Sequence, residues 1–332
     1  MSRPTWTLGL KRWLRRGVRL VALCALAAST VYCLRGLQLD ALLSALRGAN
    51  PALLALGAVV NFANMGFKSL AWDLLLPRGH GVPRWALFRY TVATGALNVV
   101  MPFKAGEAVR VFRLYRHHSV PMPALLSVAA TEKVLDVVSL LLLLCPLPFW
   151  LPHLPPWVAH ALRTATAAAA VGVVLLWIWL RHRPNLGGPN VRAVAAQTRA
   201  LGRRLPLTLG IIGLSWCVDW LLIELVMAAL GLDLAPILGL LVLFVLNLAI
   251  AIPSTPGQMG VLELGASSGL MALGVAQDQA LAFGLLYHAA QVLPLLVYLA
   301  IDGRFVWHMF GGMRRAKRRP AGAPDTASPS AS

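Results

Sequence analysis

The sequence predicts an all-α membrane protein: a polytopic helical bundle of about six full spans plus two re-entrant, broken-helix segments, arranged as an inverted internal repeat. Three observations predict it. The 332 residues are 58% hydrophobic and 13% charged, with a mean hydropathy of +0.70, whereas soluble domains carry about 25% charged residues. Apolar runs recur along the whole chain. Lys and Arg gather between those runs, and only in some of the connections.

Six runs are long enough to cross about 30 Å of hydrocarbon as helices. They are Val18–Leu34, Pro51–Leu76, Pro123–Phe149, Trp157–Leu180, Leu207–Leu230 and Gln279–Ile301. The first follows Lys11, Arg12, Arg15, Arg16 and Arg19, and reads as an uncleaved signal anchor. Two further runs, Trp85–Met101 and Pro236–Ile252, are shorter and end at Pro102 and Pro253. Each is followed by glycine and a glutamate.

The positive charge sets orientation. Met1–Arg19 holds six Lys/Arg, Phe103–His118 four, Arg181–Leu205 six and Gly303–Ser332 six. Leu151–Pro156, Gly231–Ala235 and Gly274–Asp278 hold none, and Arg35–Asn50 only Arg35 and Arg47. The positive-inside rule then puts both termini in the cytoplasm of a multi-pass protein of the cell inner membrane. With six full spans, the two short runs must each enter and leave on one side, which is possible only where backbone is buried in protein or lines a wet cavity. The expected layout is a basic cytoplasmic N-terminus (1–17), a transmembrane domain (18–302) with repeat halves 51–149 and 207–302, and a basic, disordered cytoplasmic tail (303–332). The net charge of +18 is juxtamembrane, as suits attraction to anionic lipid. No recognition motif accompanies it, so a nucleic-acid partner is not expected.

The runs starting at Leu207, Pro236 and Gln279 follow those at Pro51, Trp85 and Pro123 by 156, 151 and 156 residues. Asn98, Pro102, Gly106 and Glu107 in the first half are matched by Asn247, Pro253, Gly257, Gly260 and Glu263 in the second. Glu107 precedes Glu132 by 25 residues, as Glu263 precedes His288. Halves entering from opposite faces form the inverted repeat of secondary transporters, with a site where broken helices meet. The plain alternative is chance similarity among hydrophobic helices with Pro-Gly breaks.

Ionisable groups in apolar segments are costly and mark function. Lys68 and Asp73 flank Trp72; Glu132, Lys133 and Asp136 share one run; Asp219, Glu224 and His288 lie in the last two. In "NVVMPFKAGEAVR" a helix restarting near Gly106 aims its N-terminal amides inward, beside Lys104, Glu107 and Arg110, which suits a phosphate. Arg113 and Arg116 read equally well as a solvated face on the anionic leaflet. For Glu132, Asp136 and Glu263 the competing expectation is a buried pair with Lys133, Lys68 or His288 that only fixes the bundle. The candidate substrate-binding and translocation set is Lys68, Asn98, Lys104, Glu107, Arg110, Glu132, Lys133, Asp136, Asn247, Gly257, Glu263 and His288. No catalytic residue, metal ligand or cofactor is assigned. Cys24, Cys33, Cys145 and Cys217 lack metal-ligand spacing.

These residues resemble a known family, the transmembrane domain of lysylphosphatidylglycerol synthase/flippase, including the YbhN-like and AglD-like flippase-like proteins. The resemblance rests on Lys68–Trp72, "NVVMPFKAGEAVR", "EKVLD" at Glu132–Asp136, "PSTPGQMGVLE" and "LLYH" ending at His288, and runs from about Arg19 to Arg304. It implies a helical bundle with re-entrant segments that flips or binds a charged phospholipid. The chain departs from the family pattern at Lys133 and His288, where arginines are expected; both lose the bidentate fork that grips phosphate. The family's aminoacyl-transfer domain is not expected here.

The expected function is therefore a lipid flippase or transporter handling an anionic or amphoteric head group. Its partners would be membrane lipids, chiefly anionic phospholipid, with a second copy of itself or a separately encoded lipid-synthesis enzyme also allowed. Two alternatives stay open: a membrane-embedded glycosyltransferase acting on a polyprenyl-phosphate lipid, and a non-catalytic partner of lipid or envelope synthesis. The connection Arg181–Leu205 has no acidic residue, which disfavours a metal-dependent nucleotide-sugar enzyme.

Overall fold

A computed structural model describes residues 38–100, 105–145, 199–250 and 260–307, with isolated positions at 147, 160, 163, 164, 167, 168, 171, 172, 196, 197 and 258. Among them all regular structure is helical. The helices are α1 (Leu39–Gly48), α2 (Pro51–Leu75), α3 (Arg84–Val100), α4 (Ala105–His118), α5 (Met122–Leu144), α6 (Arg204–Ala229), α7 (Pro236–Ile250), α8 (Val261–Met271) and α9 (Gln277–Ile301). The expected spans Val18–Leu34 and nearly all of Trp157–Leu180 lie outside the described residues, as do Lys104 and Gly257.

Helices α2, α6 and α9 are long and apolar enough to cross a membrane. Helix α5 has 23 residues, but Glu132, Lys133 and Asp136 near its middle interrupt its apolar character. Large apolar side chains such as Val59, Val137, Leu142, Leu214, Leu221, Leu293 and Val297 are exposed on these four helices. Water would penalise such a surface and lipid does not. Helix α1 lies in a connection the sequence pattern left unstructured; Asp40 in its first turn and Arg47 in its last suit the helix dipole.

The central contact is between α2 and α6, which run antiparallel. The Asn50 amide donates to Ala229 O at 2.8 Å, joining the start of α2 to the end of α6. The Asn50 side chain also caps α2, accepting from the Ala52 amide at 2.9 Å, with Pro51 at the first helical position. Gly57 lets the two axes close: a Cβ there would lie 2.9 Å from Leu222 Cδ1.

Each of these helices carries a shorter hairpin on its C-terminal half. One apolar core joins Trp72 and Leu75 of α2 to Leu87, Tyr90 and Leu97 of α3, Val109 and Leu114 of α4 and Leu125 and Val128 of α5. The other joins Leu222 and Val226 of α6 to Leu240 and Leu246 of α7, Leu262 and Leu270 of α8 and Phe283 and Tyr287 of α9. Because α2 and α6 are antiparallel, the two cores sit toward opposite ends of the pair. The packing pairs also exchange under the swap of α2–α5 for α6–α9. Helix α3 packs on α2 and α4, as α7 does on α6 and α8. Helices α4 and α5 meet as α8 and α9 do, and α5 packs on α6 as α9 packs on α2. Helix α3 touches α9, and α7 touches α5.

The hairpins are tightly closed. The Gly106 amide donates to Asn98 Oδ1 at 2.9 Å, so Asn98 of α3 caps the first turn of α4. A Cβ at Gly106 would collide with Thr94 O and approach Asn98 Oδ1 to 2.7 Å. In the second hairpin a Cβ at Gly265 would lie 2.6 Å from Ala249 Cβ.

At one end of the bundle, Arg89 of α3 donates to both carboxylate oxygens of Asp302, just past α9, at 2.7 to 3.0 Å. Its guanidinium lies 4.0 Å over the Phe305 ring. Nearby, Arg113 is buried and bonds His117 Nε2 at 2.5 Å, while Arg116 is exposed. Burial and then the Arg113 cation push the His117 pKa below its ordinary value, and burial and then His80 do the same for His118.

Two outcomes follow. Gly106→Ala should lower the melting temperature of the detergent-purified protein, by the ~1–3 kcal/mol typical of overpacking. Gly210→Ala, where a Cβ meets nothing within 4 Å, should be neutral or slightly stabilising. Because both histidines bind protons less readily when folded, the unfolded chain takes up more protons as pH falls through their ordinary value of about 6.5, and stability drops. Thermal unfolding from pH 7.5 to 5.5 should show that drop, and His117→Gln with His118→Gln should blunt it.

Candidate functional site

The candidate residues fall into two clusters, one per hairpin. The first is built by α2, α4, α5 and α6. Glu107 and Arg110 sit one turn apart on α4, and Glu132, Lys133 and Asp136 face them from α5. Lys133 Nζ lies 3.1 Å from Glu107 Oε1 and 3.7 Å from Asp136 Oδ2. Arg110 Nη2 lies 3.4 Å from Glu132 Oε2. Its guanidinium carbon is 3.8 Å over the Trp72 ring of α2, a cation–π contact. One turn before Trp72, Lys68 Nζ lies 3.9 Å from Asp219 Oδ2 of α6. Asn64 Nδ2 donates to Asp219 Oδ1 at 2.8 Å. Trp216 Nε1, also on α6, donates to Asp136 O at 3.1 Å.

Exposure is graded across this cluster. The Lys133 side chain is 54% exposed, and Glu107 and Asp136 are partly open, whereas that of Arg110 is 6% exposed. Accessible charges of both signs thus lead to one enclosed guanidinium stacked on an indole. Both signs within a few ångströms can engage a head group that itself carries phosphate and ammonium.

The second cluster joins α8 to α9. His288 Nδ1 lies 2.5 Å from Glu263 Oε1. The other carboxylate oxygen accepts the Gly260 amide at 2.7 Å, closing the first turn of α8, where Gly260 has φ +84°. Gly284, one turn before His288, lets α9 abut the α8 backbone: a Cβ would lie 2.9 Å from Glu263 O. Each hairpin therefore clips its second helix to the next long helix through a first-turn glutamate, Glu107 to Lys133 and Glu263 to His288.

Of the set read from sequence, Lys68, Glu107, Arg110, Glu132, Lys133 and Asp136 come together, and Glu263 with His288. Asn98 works inside its own hairpin, as the cap on Gly106. Asn247 donates to Leu243 O of its own helix at 2.8 Å. Glu132 and Asp136 take different cations, Arg110 and Lys133, and Lys68 pairs with Asp219 rather than with either. Asp73 is drawn away to His80 and Arg84 at the end of the bundle. Sequence reasoning undervalued Asp219 and passed over Trp72 and Asn64. Trp72 stands four residues from Lys68, hence on the same helix face, and that spacing was the available signal. Among the described residues no group of three or more His, Cys, Asp or Glu side chains converges as metal ligands would.

Residues 17–298 match the family described as lysylphosphatidylglycerol synthase TM region. A protein named Glycosyltransferase AglD from Haloferax volcanii is 27% identical over 353 residues, covering 87% of this chain and 54% of that protein. The chain thus spans about half the length of that relative. No solved structure matches. The matched stretch takes in every described helix but the last few residues of α9, and with them both charged clusters, and the chain belongs to the lysylphosphatidylglycerol synthase transmembrane-region family.

Proposed function

We propose that this protein is a lipid flippase or transporter of the cell inner membrane, passing an anionic or amphoteric head group through its charged interior. Six full spans and two re-entrant segments form an inverted repeat, and both termini are cytoplasmic. The observation that carries this reading is the exchange of packing partners between α2–α5 and α6–α9, with a first-turn glutamate of the hairpin meeting a base on the following long helix in each half. The antiparallel α2–α6 pair supports inversion, because it turns one half over relative to the other. Charged side chains that stay accessible among apolar helices are stable only beside water or polar ligand atoms. A path for a head group supplies both.

Lys68, Arg110 and Lys133 offer positive charge to the phosphate, and Glu107, Glu132, Asp136 and Asp219 offer negative charge to an ammonium where the lipid has one. Glu263 and His288 hold the second hairpin, and Asn98 and Asn247 stabilise the helices that lead to the breaks. A second reading, a glycosyltransferase acting on a polyprenyl-phosphate lipid, is favoured by one observation, the name of the Haloferax volcanii relative. Transfer of labelled sugar from a nucleotide donor into a lipid extract by the purified protein would select it.

Proteoliposomes with fluorescent phospholipids should show faster transbilayer movement than empty liposomes. Glu107→Gln, Arg110→Gln, Asp136→Asn and Glu263→Gln should each slow it about tenfold or more, the effect of ~1.4 kcal/mol at the barrier, with normal membrane insertion. Equal rates with and without protein, across several head groups, would count against transport. For topology, single cysteines replacing Arg116 and Gly274, in a variant without the native cysteines, should react with an impermeant maleimide from the cytoplasmic and the outer face respectively. Labelling from the same face would remove the inverted repeat.

A further inference from the structure

Among the described residues four buried side-chain atoms make no hydrogen bond, Asn64 Oδ1, Trp72 Nε1, Arg110 Nε and Thr131 Oγ1, and the last three bear on the enclosed guanidinium. Arg110 is 5% exposed, and Trp72 and Thr131 are 1% exposed each. Two of these three are stacked on each other, and the third sits on the helix that supplies the guanidinium's carboxylate. Arg110 stacks on Trp72. Thr131 shares a face of α5 with Val128 and Leu135, which pack in the same core as Trp72. It also directly precedes Glu132, whose carboxylate meets Arg110. The Arg110–Glu132 contact is 3.4 Å, long for a charge-assisted bond, which runs at about 2.7–2.9 Å.

Buried polar groups are almost always bonded, and each exception calls for an explanation. Here the exceptions include the guanidinium Nε–H, the N–H of the indole it stacks on and the hydroxyl next in sequence to its carboxylate partner. The Glu132 carboxylate, as it is placed here, reaches only Nη2 of the guanidinium. A tetrahedral phosphodiester presents its oxygens in several directions. It can take the Nε and Nη donors of Arg110 side by side, the pairing that suits arginine, with oxygens left for the indole N–H and the threonine hydroxyl.

We propose that Trp72, Arg110 and Thr131 form the seat for the phosphodiester of a phospholipid head group, and that Glu132 is a latch competing with it for Arg110. The inference rests on the lipid-transport reading and adds two residues to its site, one cation that seats the phosphate and an exchange of partners there. One unit of negative charge at Arg110 replaces another, so the guanidinium stays neutralised throughout. The released Glu132 carboxylate lies in a cluster already holding Lys133, Glu107 and Asp136, and is free to meet the ammonium of an amphoteric head group. The weak latch is functional on this view: a bidentate pair at full strength would hold Arg110 shut.

The test is a binding titration of the detergent-purified full chain, read by thermal shift. The probes are dioctanoyl phosphatidylglycerol, dioctanoylglycerol (the same chains without phosphate) and inorganic phosphate. Phosphatidylglycerol should stabilise the protein, and dioctanoylglycerol should not. Thr131→Val, which keeps the side-chain shape, and Trp72→Phe should each weaken phosphatidylglycerol binding about tenfold, the effect of one lost hydrogen bond. Glu132→Gln should tighten it several-fold while lowering the melting temperature without lipid. A merely structural role for Glu132 predicts weaker binding, so the sign decides. Equal shifts from the two dioctanoyl lipids, equal affinity for inorganic phosphate and the lipid, or unchanged binding in Thr131→Val and Glu132→Gln would each overturn the seat. Binding as expected without transbilayer movement would leave the seat and remove transport. Movement with binding indifferent to Thr131 and Glu132 would do the reverse.

Discussion

A carboxylate among apolar helices has to find its cation inside the protein, because hydrocarbon offers it none. Much of the architecture follows from that constraint. Glu107, Glu132, Asp219 and Glu263 each meet a base from another helix, and Asp136 meets Lys133 on its own helix. These links tie α2 to α6, α4 to α5 and α8 to α9, the same pairs that apolar packing brings together. Breaking one partner of a buried pair strands the other charge, at several kcal/mol. Polar and apolar terms therefore select the same arrangement, which is how a bundle with little hydrophobic drive between its helices becomes specific.

Small residues make the polar contacts reachable. Gly57 closes α2 on α6, Gly106 and Gly265 close the hairpins, and Gly284 brings α9 onto the first turn of α8. A side chain at any of these positions would hold the backbones apart and lengthen the nearest ion pair. The glycines that look like mere helix breakers in the sequence thus do two tasks. Gly260 supplies a turn with positive φ, and Gly106 supplies a close approach.

Much of the fold was legible because apolar run length and breaker residues act locally. The bounds of α2, α3, α5, α6, α7 and α9 lie within a few residues of the runs read from sequence, and α4 restarts beside Gly106 as expected. Helix α1 was missed because its ten residues mix Leu with polar side chains and form no long run. The candidate site was legible as a set of ionisable residues but not as a set of partners. Partner choice depends on helix rotation and crossing, so Lys68 could be placed near the middle of α2 while its pairing with Asp219, 151 positions away, could not. Trp72 was hidden for a different reason. A tryptophan in an apolar run reads as lipid-facing, and only the third dimension shows a guanidinium stacked on it. Asn98 stood out as a polar residue in the interior, yet its work is mechanical.

The clip between Glu263 and His288 also bears on how the molecule can move. Its 2.5 Å bond and the Cβ-free contact at Gly284 leave α8 no room to slide along α9. Sliding one past the other would break that bond and press backbone on backbone, which favours movement of the two together. The first hairpin is fastened differently: its first-turn glutamate meets a half-exposed lysine shared between two carboxylates. Unequal fastening of the two hairpins gives the bundle a preferred side on which to yield.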